Sequence, residues 1–81
     1  MLEGKYFHAR DPETRVIHFQ GRVVAYLPPR VALVQLFSFL DGEPSTQRLL
    51  DITEHWDFYD SNQEMLDVYA ETQRVASYQI S

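Results

Sequence analysis

The chain of 81 residues contains no cysteine, which excludes a disulfide framework, thiolate metal sites and cysteine nucleophiles. It also has no apolar run that approaches the roughly 20 residues needed to span a bilayer. The N-terminal residues include the acidic Glu3 and no apolar stretch of the kind that a signal peptide carries. We therefore expect a cytoplasmic protein that does not bind membranes.

Basic side chains are scarce in the second part of the chain. Residues 49–81 hold seven acidic side chains and one basic side chain, Arg74, whereas residues 1–48 are close to neutral. This balance disfavours a phosphate-binding surface, so direct nucleic-acid binding is not expected. The first interpretation of the acidic part is a solvated face that aids solubility. The second is a negative patch that attracts a basic protein partner.

Glycine is also rare, and two of the three glycines carry structural information. Gly21 lies in the middle of residues 16–27, whose alternation predicts a half-buried strand with its odd positions inward. A glycine at the centre of a strand suggests a bulge or a sharp bend. Gly42 lies in a predicted hairpin connection at residues 41–44, where glycine is free to take a positive φ.

The chain does contain enough apolar and aromatic side chains, 44% and 14%, for one domain over residues 1–81 with one modest core. Alternation and turn residues predict five strands, which lie at residues 4–9, 16–27, 31–40, 45–53 and 57–59. The third strand is apolar on both faces, so we expect both faces to be covered. The second cover is either a C-terminal helix or a second copy of the chain, which makes a homodimer one expected state.

A helix is predicted over residues 61–76. Ser61 is a good N-cap, and Glu64 three residues later completes a capping box. Met65, Val68 and Tyr69 form an apolar stripe along one side of this helix. The tail at residues 77–81 is compatible with more helix, a strand or a frayed end.

Five short strands, a bent second strand and a one-turn connector at residues 54–56 resemble the SH3-like or Tudor-type small barrel over residues 4–60. The resemblance implies a mainly β fold: a five-stranded antiparallel barrel followed by one C-terminal helix. The alternative is an α+β fold in which the helix packs on one face of an antiparallel sheet.

Two segments are similar to the plasmid-borne type II dihydrofolate reductases, which share this fold group. Residues 20–26 resemble the strand that opens their barrel, and residues 34–37 resemble a segment that lines their tetramer pore. The second segment comes too early in the chain, and Phe37 lacks the tyrosine hydroxyl of that family. The resemblance implies an alternative function, a small oligomeric enzyme with its site at a symmetry axis.

Aromatic cages in Tudor-type domains bind methylated lysine or arginine by cation–π attraction. Tyr26, Trp56 and Tyr59 are the candidates for such a cage, with Asp57 nearby. We favour the competing interpretation, in which these rings build the core. The three histidines lie on separate predicted elements without metal-ligand spacing, so we interpret them as scattered surface residues and expect no metal or other cofactor.

No phosphate-binding loop, nucleophile elbow or catalytic triad signature is present in the sequence. The leading hypothesis is therefore a small acidic protein-interaction module, of the kind that phages, plasmids and other mobile elements encode. Its candidate binding residues combine the cage and the acidic patch, and they are Tyr26, Trp56, Asp57, Tyr59, Asp60, Glu64 and Asp67.

Overall fold

The computed structural model describes the backbone of residues 1–80 and the side chains of residues 1–75. Five strands are followed by one helix, in the order β1 (Tyr6–Arg10), β2 (Ile17–Leu27), β3 (Val31–Phe37), β4 (Pro44–Asp51), β5 (Trp56–Tyr59) and α1 (Asn62–Ile80). The predicted class, mainly β with one C-terminal helix, is confirmed. Of the predicted tail, Ser81 lies outside the described residues.

All five strands form one antiparallel sheet with the order β4-β3-β2-β1-β5. β4 and β5 are the two edge strands, and they do not pair with each other, so the sheet does not close into the predicted barrel. The alternative, an antiparallel sheet with a helix against one face, is consistent with this arrangement. The resemblance to SH3-like barrels stays a prediction.

One face of the sheet, called the inner face below, carries the hydrophobic core. Its buried members alternate along the strands as the period of two requires, and they are Phe7, Ala9, Val23, Ala32, Val34, Leu36 and Trp56. Phe7 and Trp56 stack with their ring centroids 4.5 Å apart. Trp56 is only 8% exposed, so the prediction that this aromatic residue belongs to the core is confirmed.

Gly21 is required for a different reason from the one predicted. The irregularity in β2 lies between Val23 and Ala25, and Gly21 pairs regularly with Leu36 of β3. A Cβ atom at position 21 would lie 2.0 Å from the Gln35 carbonyl oxygen. Glycine is therefore needed because the two backbones approach each other closely. The prediction for Gly42 is confirmed, since its φ is 72° in the turn after β3.

The helix packs on the opposite, outer face of the sheet, against β1 and β5. Met65 is completely buried there, and the Tyr69 ring stacks on Phe39 with centroids 4.9 Å apart. The third strand ends at Phe37, and the following turn, where Gly42 N–H donates to the Ser38 carbonyl oxygen, carries Phe39 to the helix. Within residues 31–40, the helix thus covers Phe39 through Tyr69. Within the described part of the chain, no helix is long and apolar enough to cross a membrane.

Candidate functional site

Two of the predicted acidic residues form ion pairs with basic residues at the two ends of β1. Asp60 pairs with Lys5, which lowers the pKa of the Asp60 carboxyl through its hydrogen bond and positive charge. Arg10 donates from Nε to Asp57 at 3.0 Å. These two acidic side chains are therefore paired with basic residues at the two ends of β1, which antiparallel pairing places beside β5.

The other two predicted acidic residues lie on the first turns of α1. Glu64 N–H donates to Ser61 Oγ at 3.1 Å, which confirms the N-cap. The Glu64 carboxylate accepts a hydrogen bond from Asp60 N–H at 3.1 Å. A standard capping box would instead use the backbone N–H of the N-cap residue, Ser61. Asp67 accepts from Gln63 Nε2 at 2.8 Å and is exposed. Their role in partner binding stays a prediction.

The three candidate cage residues do not share one location. Trp56 points into the core, whereas Tyr59 lies on the outer face of β5, because alternate residues of a strand face opposite sides. Tyr26 lies near the end of β2, where its hydroxyl donates to the Pro29 carbonyl oxygen at 2.7 Å. These rings therefore do not form one cage, and the core interpretation holds for Trp56.

A buried polar network on the outer face was missed in the sequence. His8 and Gln20 are 0% and 1% exposed. His8 Nε2 lies 3.0 Å from Gln20 Oε1, and His8 Nδ1 lies 2.9 Å from the Tyr59 hydroxyl oxygen. Because an amide oxygen only accepts, this arrangement places the ring proton on Nε2 and leaves Nδ1 to accept from Tyr59. Gln20 Nε2 in turn donates to the Ser38 carbonyl oxygen at 3.3 Å. The interpretation of His8 as a surface residue is wrong, because partners from β2 and β5 satisfy both ring nitrogens under the helix.

The other two histidines lie elsewhere on the chain. His18 Nε2 is 4.0 Å from Asp11 Oδ2, and His55 Nδ1 lies 2.9 Å from the Arg15 guanidinium. Among the described residues, no group of three or more His, Asp or Glu side chains could hold a metal ion.

Edge strand β4 is the most accessible backbone of the sheet. Seven of its eight residues are exposed, and the eighth, Leu50, is half-buried. Just beyond the strand, Ile52 N–H donates to the Arg30 carbonyl oxygen at 2.6 Å, so the even-numbered residues direct their backbone groups toward β3. The odd-numbered residues Gln47, Leu49 and Asp51 therefore direct their N–H and C=O groups away from the sheet.

A pocket of about 140 Å³ opens between the two edge strands. Its floor is apolar and is formed by inner-face side chains, Ala9, Phe19, Leu50 and Trp56. Two acidic residues, Asp11 and Asp51, contribute to its rim. The pocket lies where residues 52–55 join the end of β4 to the start of β5, two strands that do not pair with each other.

The charges at the rim differ in how far they are neutralised. Asp11 Oδ1 accepts from the backbone N–H groups of Glu13 and Thr14 at 2.8 and 2.9 Å, and these bonds lower the pKa of its carboxyl. Asp51 has no ion-pair partner among the described residues. Arg10 also lines the pocket, but its guanidinium is held by Asp57 and the Arg15 carbonyl oxygen. The rim thus combines two acidic residues with Arg10 and His18, and Asp51 is the acidic residue that no ion pair among the described residues neutralises.

The outer face of the sheet beyond the helix is apolar and uncovered. Leu27 and Leu49 are 47% and 62% exposed, and the half-buried Val31 and Leu33 lie between them in the register. This surface is continuous with the free edge of β4.

Comparison with protein-family models, with curated proteins and with solved structures finds no match to this chain.

Proposed function

We propose that this protein is a protein-interaction module that binds an extended segment of a partner by adding it as a strand to the free edge of β4. The observation that carries the proposal is the exposed eight-residue edge strand Pro44–Asp51. Strand addition uses backbone hydrogen bonds for affinity and side-chain pockets for specificity. β4 offers outward backbone groups on three residues, and a pocket lies at its end.

The opposite edge is a poorer site for the same kind of binding. β5 has only four residues, and α1 packs against it. Its Asp57 side chain is occupied by Arg10. Natural edge strands are protected by shortness, by charge or by a covering element, and β5 has all three. β4 has one charged side chain within it besides the terminal Asp51, namely Arg48, whose guanidinium lies 5.4 Å from the centroid of the Phe19 ring.

A second copy of the chain is the competing occupant of the same edge, and a mass measurement in solution distinguishes it. The same measurement addresses the alternative function, a small oligomeric enzyme, because a site at a symmetry axis requires a closed ring of subunits. The net charge of −5 on each copy opposes self-association and favours a partner with basic groups.

The test is to select binders from a displayed library of random peptides and to compare two variants at one outward-facing position. Gln47→Pro removes the outward N–H and keeps the inward bonds of its neighbours, whereas Gln47→Val keeps the N–H. Both variants lose the same side-chain bond to Gln35, so they are matched. We expect Gln47→Pro to weaken binding of the selected peptides about fivefold and Gln47→Val to leave it within about twofold, because one lost hydrogen bond between uncharged groups costs about 1 kcal/mol.

A second comparison leaves the protein unchanged. Each selected peptide is made in two N-methylated forms, one methylated at its odd-numbered residues and the other at its even-numbered residues. Only one of the two forms loses the N–H groups that face β4. We expect the form that loses these N–H groups not to bind and the other form to bind as before. Equal binding of both forms, or of both Gln47 variants, would show that the partner does not pair with β4.

A further inference from the structure

We infer that the pocket between β4 and β5 selects a specific sequence, namely an apolar side chain directly next to a basic one in the added strand. The inference rests on the proposed function, since it assumes a strand paired with β4. It goes further by naming the residues of the partner segment that the pocket and its rim would recognise. The occupant is an extended peptide segment of another protein.

The register of an added strand determines which of its side chains enters the pocket. A residue directly opposite Leu50 has its side chain on the same face as that of Leu50, with the Cβ atoms about 5 Å apart. Leu50 belongs to the inner face and forms part of the pocket floor. The partner side chain opposite Leu50 is therefore aimed at the pocket.

The size and polarity of the pocket define what that side chain is. Its volume of about 140 Å³ is close to the roughly 150 Å³ of an engineered apolar cavity that takes up benzene. The rings of Phe19 and Trp56 line it, and Trp56 is held in place by its stack on Phe7. A leucine or phenylalanine side chain fills such a space, whereas alanine leaves most of it open. Burial of the side chain then supplies apolar contact that backbone pairing alone lacks.

The rim determines the neighbouring residue. The next residue of the added strand lies opposite Asp51 and faces the outer side, because alternation reverses the direction of each side chain. Asp51 is exposed and has no ion-pair partner among the described residues. A lysine or arginine at that position pairs with it across the strands, and an acidic residue is repelled. Asp11 at the same rim adds to the negative field.

The test uses synthetic peptides of about ten residues with strand-favouring threonine and valine around a central pair. Three probes differ only in this pair: Lys-Leu, Lys-Ala and Glu-Leu. Binding to the full chain is measured by isothermal titration or by amide chemical shifts. We expect Lys-Ala to bind at least tenfold more weakly than Lys-Leu, because the pocket stays unfilled. We expect Glu-Leu to bind about twofold to fivefold more weakly, as for an exposed charge pair.

One variant and one control isolate the role of the rim. Asp51→Asn removes the charge and keeps the shape, so the preference for lysine over glutamate should disappear while the preference for leucine over alanine remains. Glu43→Gln changes an exposed carboxylate in the turn before β4, outside the pocket, and should leave both preferences intact. The lysine preference in the unchanged protein should also shrink as salt rises past about 0.15 M.

The outcomes separate the two proposals. Equal binding of the three probes, with shifts at β4 amides, overturns the pocket inference and leaves strand addition standing. Failure of the probes and of every library peptide overturns both. Without peptide, amide chemical shifts of β4 that change with protein concentration, together with a doubled mass, would show that a second copy of the chain occupies the edge. This result would overturn the inference.

Discussion

Gly21 shows how one residue allows two strands to pair closely. A side chain at this position meets the backbone of β3, which cannot move aside as a flexible side chain could. We predict that Gly21→Val lowers the free energy of unfolding by about 1–3 kcal/mol, by overpacking. Arg22→Val adds the same residue at the next, exposed position and should change stability by less than about 0.5 kcal/mol. Denaturant midpoints measure both, and an undiminished midpoint for Gly21→Val would contradict the close approach.

His8 makes a different prediction at the residue scale. Burial lowers the pKa of its ring below the ordinary 6.5, and the hydrogen bond with Gln20 opposes this shift in part. The unfolded chain takes up a proton near 6.5, while the folded ring stays neutral to lower pH. This difference in pKa stabilises the folded state above pH 6.5. The stabilisation is lost as the pH falls through the pKa of the His8 ring in the folded chain.

Two measurements check this sign. The unfolding free energy of the natural chain should fall between about pH 7 and 5 by more than that of His8→Gln. An NMR titration of the His8 ring should give a pKa below 6.5. A ring that titrates above 6.5 would show that the His8 site is open to water or to a stabilising negative charge.

The sequence could not reveal the His8 network, because its partners are 12 and 51 residues away. In β1 alone, His8 alternates with the core residues Phe7 and Ala9, which is the pattern of a residue facing solvent. Only the pairing of β1 with both β2 and β5 brings the amide and the phenol to its two nitrogens. Trp56 was easier to predict, since an isolated large aromatic in so small a domain is needed for the core.

At the scale of elements, the helix is anchored by one side chain above all. Met65 is fully buried against the sheet, whereas Val75 on the same helix is 44% exposed. We predict that Met65→Ala costs about 2–5 kcal/mol of stability, while Val75→Ala costs less than about 1 kcal/mol. Thermal and denaturant unfolding measure both. Equal effects would show that α1 is an appendage and not part of the fold.

The helix was predictable because its signals are local. The Ser61 cap and its Glu64 partner lie within four residues; the cap is confirmed, and Glu64 accepts from Asp60 N–H, one residue earlier than the predicted capping box. The face that the helix covers was less predictable, because the apolar residues of β3 indicate that a cover exists without indicating where it comes from. The helix lies over β1 and β5 instead, which leaves Leu33 and Leu49 at the uncovered end of the sheet.

At the scale of the whole molecule, function depends on which strands form the edges. Local alternation predicts strands but does not order them, because the order follows from the long-range pairing of β1 with β5. That pairing protects one edge and leaves β4 exposed. It also leaves β4 and β5 unpaired with each other where residues 52–55 connect them and the pocket opens, so the backbone edge and the apolar pocket follow from one topology.

The central claim, that a partner strand pairs with the outer edge of β4, is tested most directly by amide hydrogen exchange with a bound library peptide. If the partner strand pairs with β4, we expect slowed exchange at Gln47, Leu49 and Asp51, whose N–H groups face outward. Exchange at Arg48 and Leu50 should change less, because their N–H groups already face β3. Protection that maps to α1, or that is equal at odd and even positions of β4, would contradict the claim.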